Sequence, residues 1–558
     1  MSNGRCVACP PGTINDPGDL TNAGRSLCDT IRCQANERVR RHACVRCSPP
    51  TWNEGGDDAT GEDTSCLEDL CQPSLGVSCP EFNEAYLKAS HPDSGDEFGC
   101  NLDYDGETLA VAACDESSAA TGVDGDATDN SAYQSGAVYL FEHRGGRWQQ
   151  VAYIKPSHTE RSMFFGGTSW TRSVSIHEDT LAVGAWGEDG SGSGVNPPGS
   201  VRTSTGSGAV YVYRRVAGLW SQEAYIKAPD AEAYGNFGGA VVVRGDTLVV
   251  GAIGAGTEET DGVDSAGKVF VYQRGDLGGW RLQASLSASN PNSGDSFGDS
   301  LALSGETLAV GAAVEDSSAF GIDGAQEDND LPQSGAVYIF TRTQGTWSQQ
   351  AYLKASNPDR EDRFGFSVAL DGDALAVGAL YEQGSSSGVD GDQTRNDLDA
   401  SGAVYVFRRE GTRWSQEAYL KASNPGVRDF FSWSMSLDGA RLSVGAIAEA
   451  SDARHVGGDE GNDRAISSGA VYLFERTSLG WHQRAYIKPF ATDTFDYFGS
   501  ALVLRGNRLI VGSPGEASAA AGVDGDPFDN TRRRSGAVYV RTPLHPNSPV
   551  RDRGAPAT

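Results

Sequence analysis

From residue 81 onward, short apolar runs alternate with polar turns, and apolar residues nowhere recur at the three-to-four-residue spacing of an amphipathic helix. One copy shows the parts. After Phe364-Gly365, an alternating run from Ser367 to Leu370 meets a turn at Asp371-Gly372 and a second apolar run from Ala374 to Ala379, the signature of a β-hairpin. A polar loop of about 20 residues follows, then the run Gly402 to Phe407, a short turn, and the run Trp414 to Ser423. Each unit is therefore predicted to hold four strands.

The unit recurs seven times. SGAVY or a near copy starts at Ser135, Ser207, Ala266, Ser334, Ser401, Ser468 and Ser535, with gaps of 72, 59, 68, 67, 67 and 67. Phe-Gly recurs at Phe98, Phe165, Phe237, Phe297, Phe364 and Phe498, with Phe430-Phe431 in the remaining place. A string of the AYLKAS type begins near Ala85, Ala152, Ala224, Ala284, Ala351, Ala418 and Ala485, but its tryptophan slot is filled six times, at Trp148, Trp220, Trp280, Trp347, Trp414 and Trp481. A four-stranded unit that cannot bury both faces alone, repeated in series, predicts an all-β, seven-bladed β-propeller. The last copy has no fourth strand after it, whereas the stretch from Glu81 to Ser90 has no first three before it. Each completes the other, so an N-terminal strand is expected to close the ring and remove its open edge. The chain thus divides into a cysteine-rich module at 1–79, a propeller at 81–544 and a Pro-rich tail at 545–558.

The cysteines mark the same division. Nine of the 11 precede residue 80, and the spacing of Cys6, Cys9, Cys28 and Cys33 repeats in Cys44, Cys47, Cys66 and Cys71, with Cys79 beyond. A segment with so few large apolar side chains needs covalent or metal staples. Disulfides are the first expectation, zinc held by the paired C-x2-C motifs the alternative. With an odd total, one thiol is expected to stay unpaired or to pair between chains. A hairpin about Asp105-Gly106 would set Cys100 opposite Val111, so a bridge from Cys100 to Cys114 is not expected.

The strings FGFSVALDGDALAVGAL (364–380) and FGSALVLRGNRLIVGSP (498–514) resemble the FG-GAP repeat, the blade unit of the integrin alpha-subunit propeller. The resemblance spans all seven units and implies a propeller used in extracellular adhesion or recognition. Integrin-type blades that bind calcium carry a D-x-D-x-D-G loop between their first two strands. This chain has only tight turns there, such as Asp105-Gly106 and Asp438-Gly439, so calcium at the family's usual place is not inherited. The texture CVACPPGTINDPGD near the start resembles the cysteine-rich modules of tumour-necrosis-factor and ephrin receptors, which implies an oxidising compartment.

Charge narrows the functional classes. A formal net charge of −30 leaves no basic footprint for a nucleic-acid backbone. No run of apolar residues is long enough to span a membrane, and the opening MSNGRC lacks the profile of a secretion signal, so export information is expected outside this chain. The acidic residues gather in the long loops. Asp124, Asp126, Asp129 and Asn130 recur with identical spacing as Asp524, Asp526, Asp529 and Asn530, and with one insertion as Asp390, Asp392 and Asp397. Several hard oxygens within one glycine-containing turn suit Ca²⁺, while Asp and Gly equally serve to make turns and keep a loop solvated. The six slot tryptophans are expected to pack between blades. Lys88, Lys155, Lys227, Lys354, Lys421 and Lys488 on the outermost strands are expected to protect an edge by charge. The eight histidines fall at unrelated repeat positions and form no catalytic grouping, so an enzyme is not expected. The leading expectation is an extracellular recognition protein that binds a protein or glycan through propeller loops. A subunit of a cell-surface filament, with copies of this chain as partners, is the alternative.

Overall fold

The computed structural model describes residues 85–541, apart from 199–201, 232, 255–265 and 277, together with short strands before residue 69. The chain separates into two compact units, Met1–Asn83 and Glu84–Thr558. In the first, three antiparallel pairs are described: Thr13–Ile14 with Asp29–Thr30, Glu37–Arg40 with Ala43–Arg46, and Thr51–Trp52 with Leu67–Glu68. The cysteine pairings expected there fall on side chains outside the described residues.

The second unit is the seven-bladed propeller. The described residues form seven sheets of four antiparallel strands in consecutive order. Blades 1 to 6 span 98–154, 174–227, 237–286, 300–353, 364–420 and 431–487, and blade 7 spans 502–541 plus Ala85–Leu87. Blade 2 carries a fifth, two-residue strand, Gly194–Val195. The closing strand pairs as expected, with Leu87 opposite Val538, Tyr86 opposite Tyr539 and Ala85 opposite Val540. The Tyr86 and Tyr539 rings meet edge to face at 5.4 Å.

Two devices join blade to blade. On the inner strands, Ser300, Ser367 and Ser434 donate their hydroxyls to the carbonyls of Gly365, Ser432 and Gly499 in the next blade, at 2.7, 2.6 and 2.6 Å. At the loop end, the stretch before each third strand pairs with the stretch before the next first strand. Arg428, Phe430 and Phe431 donate their N–H groups to Asp399, Ala400 and Ser401. This ladder needs alternate residues in the left-handed region, and Arg428, Phe430 and Ala400 have φ of 60°, 56° and 49°. The glycines of the two repeated strings follow from it. Gly402 has φ +80°, and a Cβ there would overlap the Phe431 carbonyl. Such strained backbone at a loop face reads first as a functional mark, but here the same geometry recurs around the ring as blade-to-blade pairing.

The slot tryptophans are buried between blades, as expected. Trp280, Trp347, Trp414 and Trp481 each donate Nε1–H to the fourth strand of the preceding blade, to Glu223, Gln283, Gln350 and Glu417.

The lysine series corrects the expectation. All six lysines are fully buried. Each Nζ donates to a glutamate placed just after the second strand and to the serine that opens the third. In blade 5, Lys421 reaches Glu382 Oε2 and Ser401 Oγ, both at 2.7 Å, and the Tyr419 hydroxyl donates to Glu382 Oε1 at 2.8 Å. Burial pushes the lysine ammonium down and the tyrosine hydroxyl up from their ordinary ranges. The edge is covered instead by backbone. In six blades the long loop returns along the fourth strand, with bridges such as Val123 to Ile154, Ile322 to Leu353 and Val389 to Leu420.

Cysteine pairing corrects a second expectation. Cys100 and Cys114 form a disulfide, with Cα atoms 6.2 Å apart. The turn that Asp105 caps is longer than a two-residue hairpin, so Tyr104 pairs with Leu109, and residues 99–101 bulge out before Phe98 pairs with Ala113. Together these shifts bring Cys100 beside Cys114. The total of 11 then leaves nine cysteines for the N-terminal module.

Candidate binding face

The register puts all loops between second and third strands, and all loops between blades, at one end of the propeller. The turns between first and second strands, two residues long in blades 2 to 7, lie at the other. The first strands of all seven blades line a central cavity of about 200 Å³. The residue after each Phe-Gly, or its equivalent, is Cys100, Arg172, Gly239, Asp299, Phe366, Trp433 or Ser500, and of these Arg172 lines the cavity.

One element there breaks the repeat. Blade 2 carries five extra residues, 167–171, between its Phe-Gly and its first strand, which accounts for the 72-residue gap. The insertion is a fixed turn. Thr168 N–H donates to Thr171 Oγ1 at 2.8 Å, Thr171 N–H to the Thr168 carbonyl at 3.1 Å, and Asn101 Nδ2 to the Thr168 carbonyl at 2.8 Å. It carries Trp170 across the ring to blades 5 and 6, where the indole meets Trp433 at 4.5 Å and Phe366 at 6.3 Å. Beneath it, Arg172 donates to the Trp433 carbonyl and sits 6.0 Å from the Phe366 ring. Burial lowers the Arg172 guanidinium to about 10 and raises the Asp299 carboxyl to about 6. The aromatic series continues through Phe430 to Tyr381, whose ring Arg363 covers at 4.9 Å. Trp170 thus closes the cavity mouth while 53% of its own surface stays open to solvent. A rigidly held, half-exposed tryptophan among other aromatics is a strong contact group.

The acidic loop residues have identifiable partners. Asp124, Asp390 and Asp524 clamp the returning loop to the fourth strand. Each accepts the N–H of Tyr153, Tyr419 or Tyr86 on its carboxylate, at 2.9, 2.9 and 3.1 Å, and donates its own N–H back to that tyrosine's carbonyl. Asp323 and Asn196 do the same for Tyr352 and Tyr225, a role the sequence pattern had not singled out. Asp126 accepts both N–H and O–H of Thr128, Asp392 those of Thr394, and Asp526 the N–H of Phe528. Asp129 accepts from Ala119 and Ser131, Asp397 pairs with Arg395, and the Asp529 carbonyl accepts from Ala519. Asn130 and Asn530 donate to Asp93 and Asp493 in the preceding loop. Among the described residues, no three His, Cys, Asp or Glu side chains are gathered for a metal ion.

Five stretches of the chain, 148–213, 220–272, 280–340, 347–407 and 414–474, match the FG-GAP repeat. Together they cover more than half of it. The protein belongs to the FG-GAP repeat family. No curated protein matches the chain. Family membership points to a binding scaffold of the adhesion type. In FG-GAP terms, the phenylalanine is a core anchor: Phe364 is fully buried and packs edge to face on Tyr405 and Phe407, at 5.4 and 6.1 Å. Its glycine lets the inner strand bulge toward the preceding blade, where a Cβ on Gly365 would overlap the Ala336 carbonyl. The FG-GAP hairpins of blades 2 to 7 close through two-residue turns, as between Asp371 and Ala374. These are too short for the calcium loop of integrin-type blades.

Proposed function

We propose that this protein is an extracellular, non-enzymatic recognition or adhesion protein that takes a protein or glycan partner on the loop face, around Trp170. The observation that carries this reading is the insertion in blade 2. In a ring of near-identical units, it is the element that departs from the repeat in order to hold an aromatic side chain over the axis. Loops on a rigid repeat scaffold are where such proteins place recognition. The buried Cys100–Cys114 disulfide favours an oxidising compartment. The lysines and glutamates within the blades are committed to one another, which leaves them closed to a substrate. The test is binding of the full chain to arrays of glycans and extracellular proteins. Trp170→Ala is expected to weaken the bound signal by about tenfold or more, the scale of a contact hot spot. Equal binding by that variant would move the site elsewhere. Asp126 and Asp129 are already hydrogen-bonded within their loop, so the signal is expected to survive EDTA.

A further inference from the structure

Two departures from the repeat meet at the cavity mouth. Blade 2 has its insertion, and blade 1 has an asparagine on its first strand where blades 4, 5 and 6 have serine: Asn101 stands in the place of Ser300, Ser367 and Ser434. Each of those serines donates its hydroxyl to a carbonyl of the next blade. Asn101 makes the same blade-to-blade bond, from Nδ2 to the Gly166 carbonyl at 3.0 Å. A serine hydroxyl has one hydrogen to donate, whereas an amide nitrogen has two. The second goes to the Thr168 carbonyl inside the insertion, at 2.8 Å.

That carbonyl is the hub of the turn. It also accepts the Thr171 N–H and the Thr171 hydroxyl, both at 3.1 Å, so the bond from Asn101 ties the closed turn to blade 1 as one piece. The tie from Ser169 Oγ to Glu97 Oε2 is longer, at 3.5 Å. Asn101 is itself firmly held. It is 3% exposed and lies in the bulge that the Cys100–Cys114 disulfide fastens to the second strand, with the Cys114 sulfur 3.8 Å from its Nδ2. Such enclosure locks the amide, so its two donors keep their aim.

We propose that Asn101 is the positioning residue of the loop face: with the disulfide behind it, it sets Trp170 over the cavity mouth and against Trp433. The blade-to-blade bond alone needs only serine, as in blades 4 to 6, and the larger side chain is explained by the insertion it reaches. Trp170 is then presented by the scaffold rather than by its own turn, and its ordering is complete before a partner arrives. The consequence for binding rests on the loop-face reading; the positioning of Trp170 does not.

The experiment gives Asn101 the residue of its sister blades. Asn101→Ser keeps a donor for Gly166 and loses the one for Thr168. The full chain is labelled with fluorotryptophan and observed by fluorine NMR, the Trp170 signal being the one absent from Trp170→Phe. In Asn101→Ser that signal is expected to move toward the position of a free indole as the ring leaves Trp433, and the Thr171 amide to exchange about fivefold faster, the scale of one hydrogen bond. The signals of the six slot tryptophans should stay. The double variant Cys100→Ser with Cys114→Ser should move the Trp170 signal in the same direction. An unmoved Trp170 signal in Asn101→Ser would overturn the proposal, and so would equal shifts of the slot tryptophans, which would mark a general loosening of the ring. On the glycan and protein arrays, Asn101→Ser should weaken the bound signal by about fivefold. If Trp170 moves and binding is unchanged, the loop-face reading fails and the positioning stands. If Trp170 stays while Trp170→Ala still weakens binding, the positioning fails and the loop-face reading stands.

Discussion

The buried lysine network makes a quantitative prediction about cooperation inside one blade. In blade 5, Lys421→Met removes the ammonium that Glu382 faces and leaves a carboxylate almost wholly enclosed, its remaining partners the Tyr419 hydroxyl and the Gly384 N–H. Breaking one side of such a pair costs about 3–5 kcal/mol, because the survivor keeps its desolvation penalty without compensation. Adding Glu382→Gln removes the stranded charge and still offers an acceptor to Tyr419 and Gly384. The double variant should then lose only about 1–3 kcal/mol, the range for imperfectly matched neutral hydrogen bonds. The coupling energy from the cycle is expected to be about 2 kcal/mol or more. Native-state hydrogen exchange read at the third strand, Ala403–Glu410, reports this blade, which matters in a repeat protein whose units open separately. Blade 3 already carries the limiting case, since Ala255, Ala266, Ser285 and Ser287 stand there in the places of the glutamate, serine, tyrosine and lysine. If the double variant lost as much as both single variants combined, the four residues would be acting independently and the concerted loss in blade 3 would need another cause.

Three further outcomes follow from the same geometry. Burial raises the carboxyls of Asp96, Asp295 and Asp429 to about 7 and those of Asp362 and Asp496 to about 8. The folded state therefore binds more protons than the unfolded one from roughly pH 4 to these values. Their contribution to stability is complete below pH 4 and is lost as pH rises through 7 to 8. Melting temperature should fall across that window and fall less in Asp362→Asn, and a flat profile would refute the assignment. Asp390→Ala should cost about 0.5–1.5 kcal/mol through loss of one hydrogen bond to Tyr419, whereas Asp390→Asn should be near neutral, because Asn196 performs the same clamp in blade 2; equal damage in chemical denaturation would instead point to a role for the charge. Breaking the Cys100–Cys114 link should destabilise blade 1 by about 3 kcal/mol, the loop-closure scale for a short loop; reductant should lower the melting temperature of the native chain further than that of Cys100→Ser, which lacks the link, and an equal effect on both would refute the assignment.

The blade count and the closing strand were legible because both rest on period and on the mismatch between first and last copies, which no tertiary detail can disturb. The lysines were misjudged because sequence places Lys421 on an outer strand without showing that the loop around Val389 folds back over it. Cys100 and Cys114 were missed for a related reason: a bulge shifts register without leaving a mark in the alternation. Asp124 and Asp390 carried a true signal, acid at a fixed place in the loop, but a carboxylate that clamps backbone and one that holds a cation look alike in one dimension. Asn196 and Asp323, in equivalent places, were the clue that an oxygen acceptor rather than a negative charge is required. Trp170 leaves only a length signal in the sequence, the 72-residue gap between repeats, because a one-dimensional insertion does not show which side chain it carries over the ring; blade 3 leaves the correspondingly short gap of 59.

The meeting of Ala85–Leu87 with Ala537–Arg541 has a mechanical consequence. A load that draws the chain apart at these two flanks is borne first by the three residue pairs of that seam, while blades 1 to 6 lie in the shadow of the closed circle. Blade 7 is thus the fuse of the molecule. Under tension it should part before anything else, and on release the circle can be restored without refolding the remaining sheets.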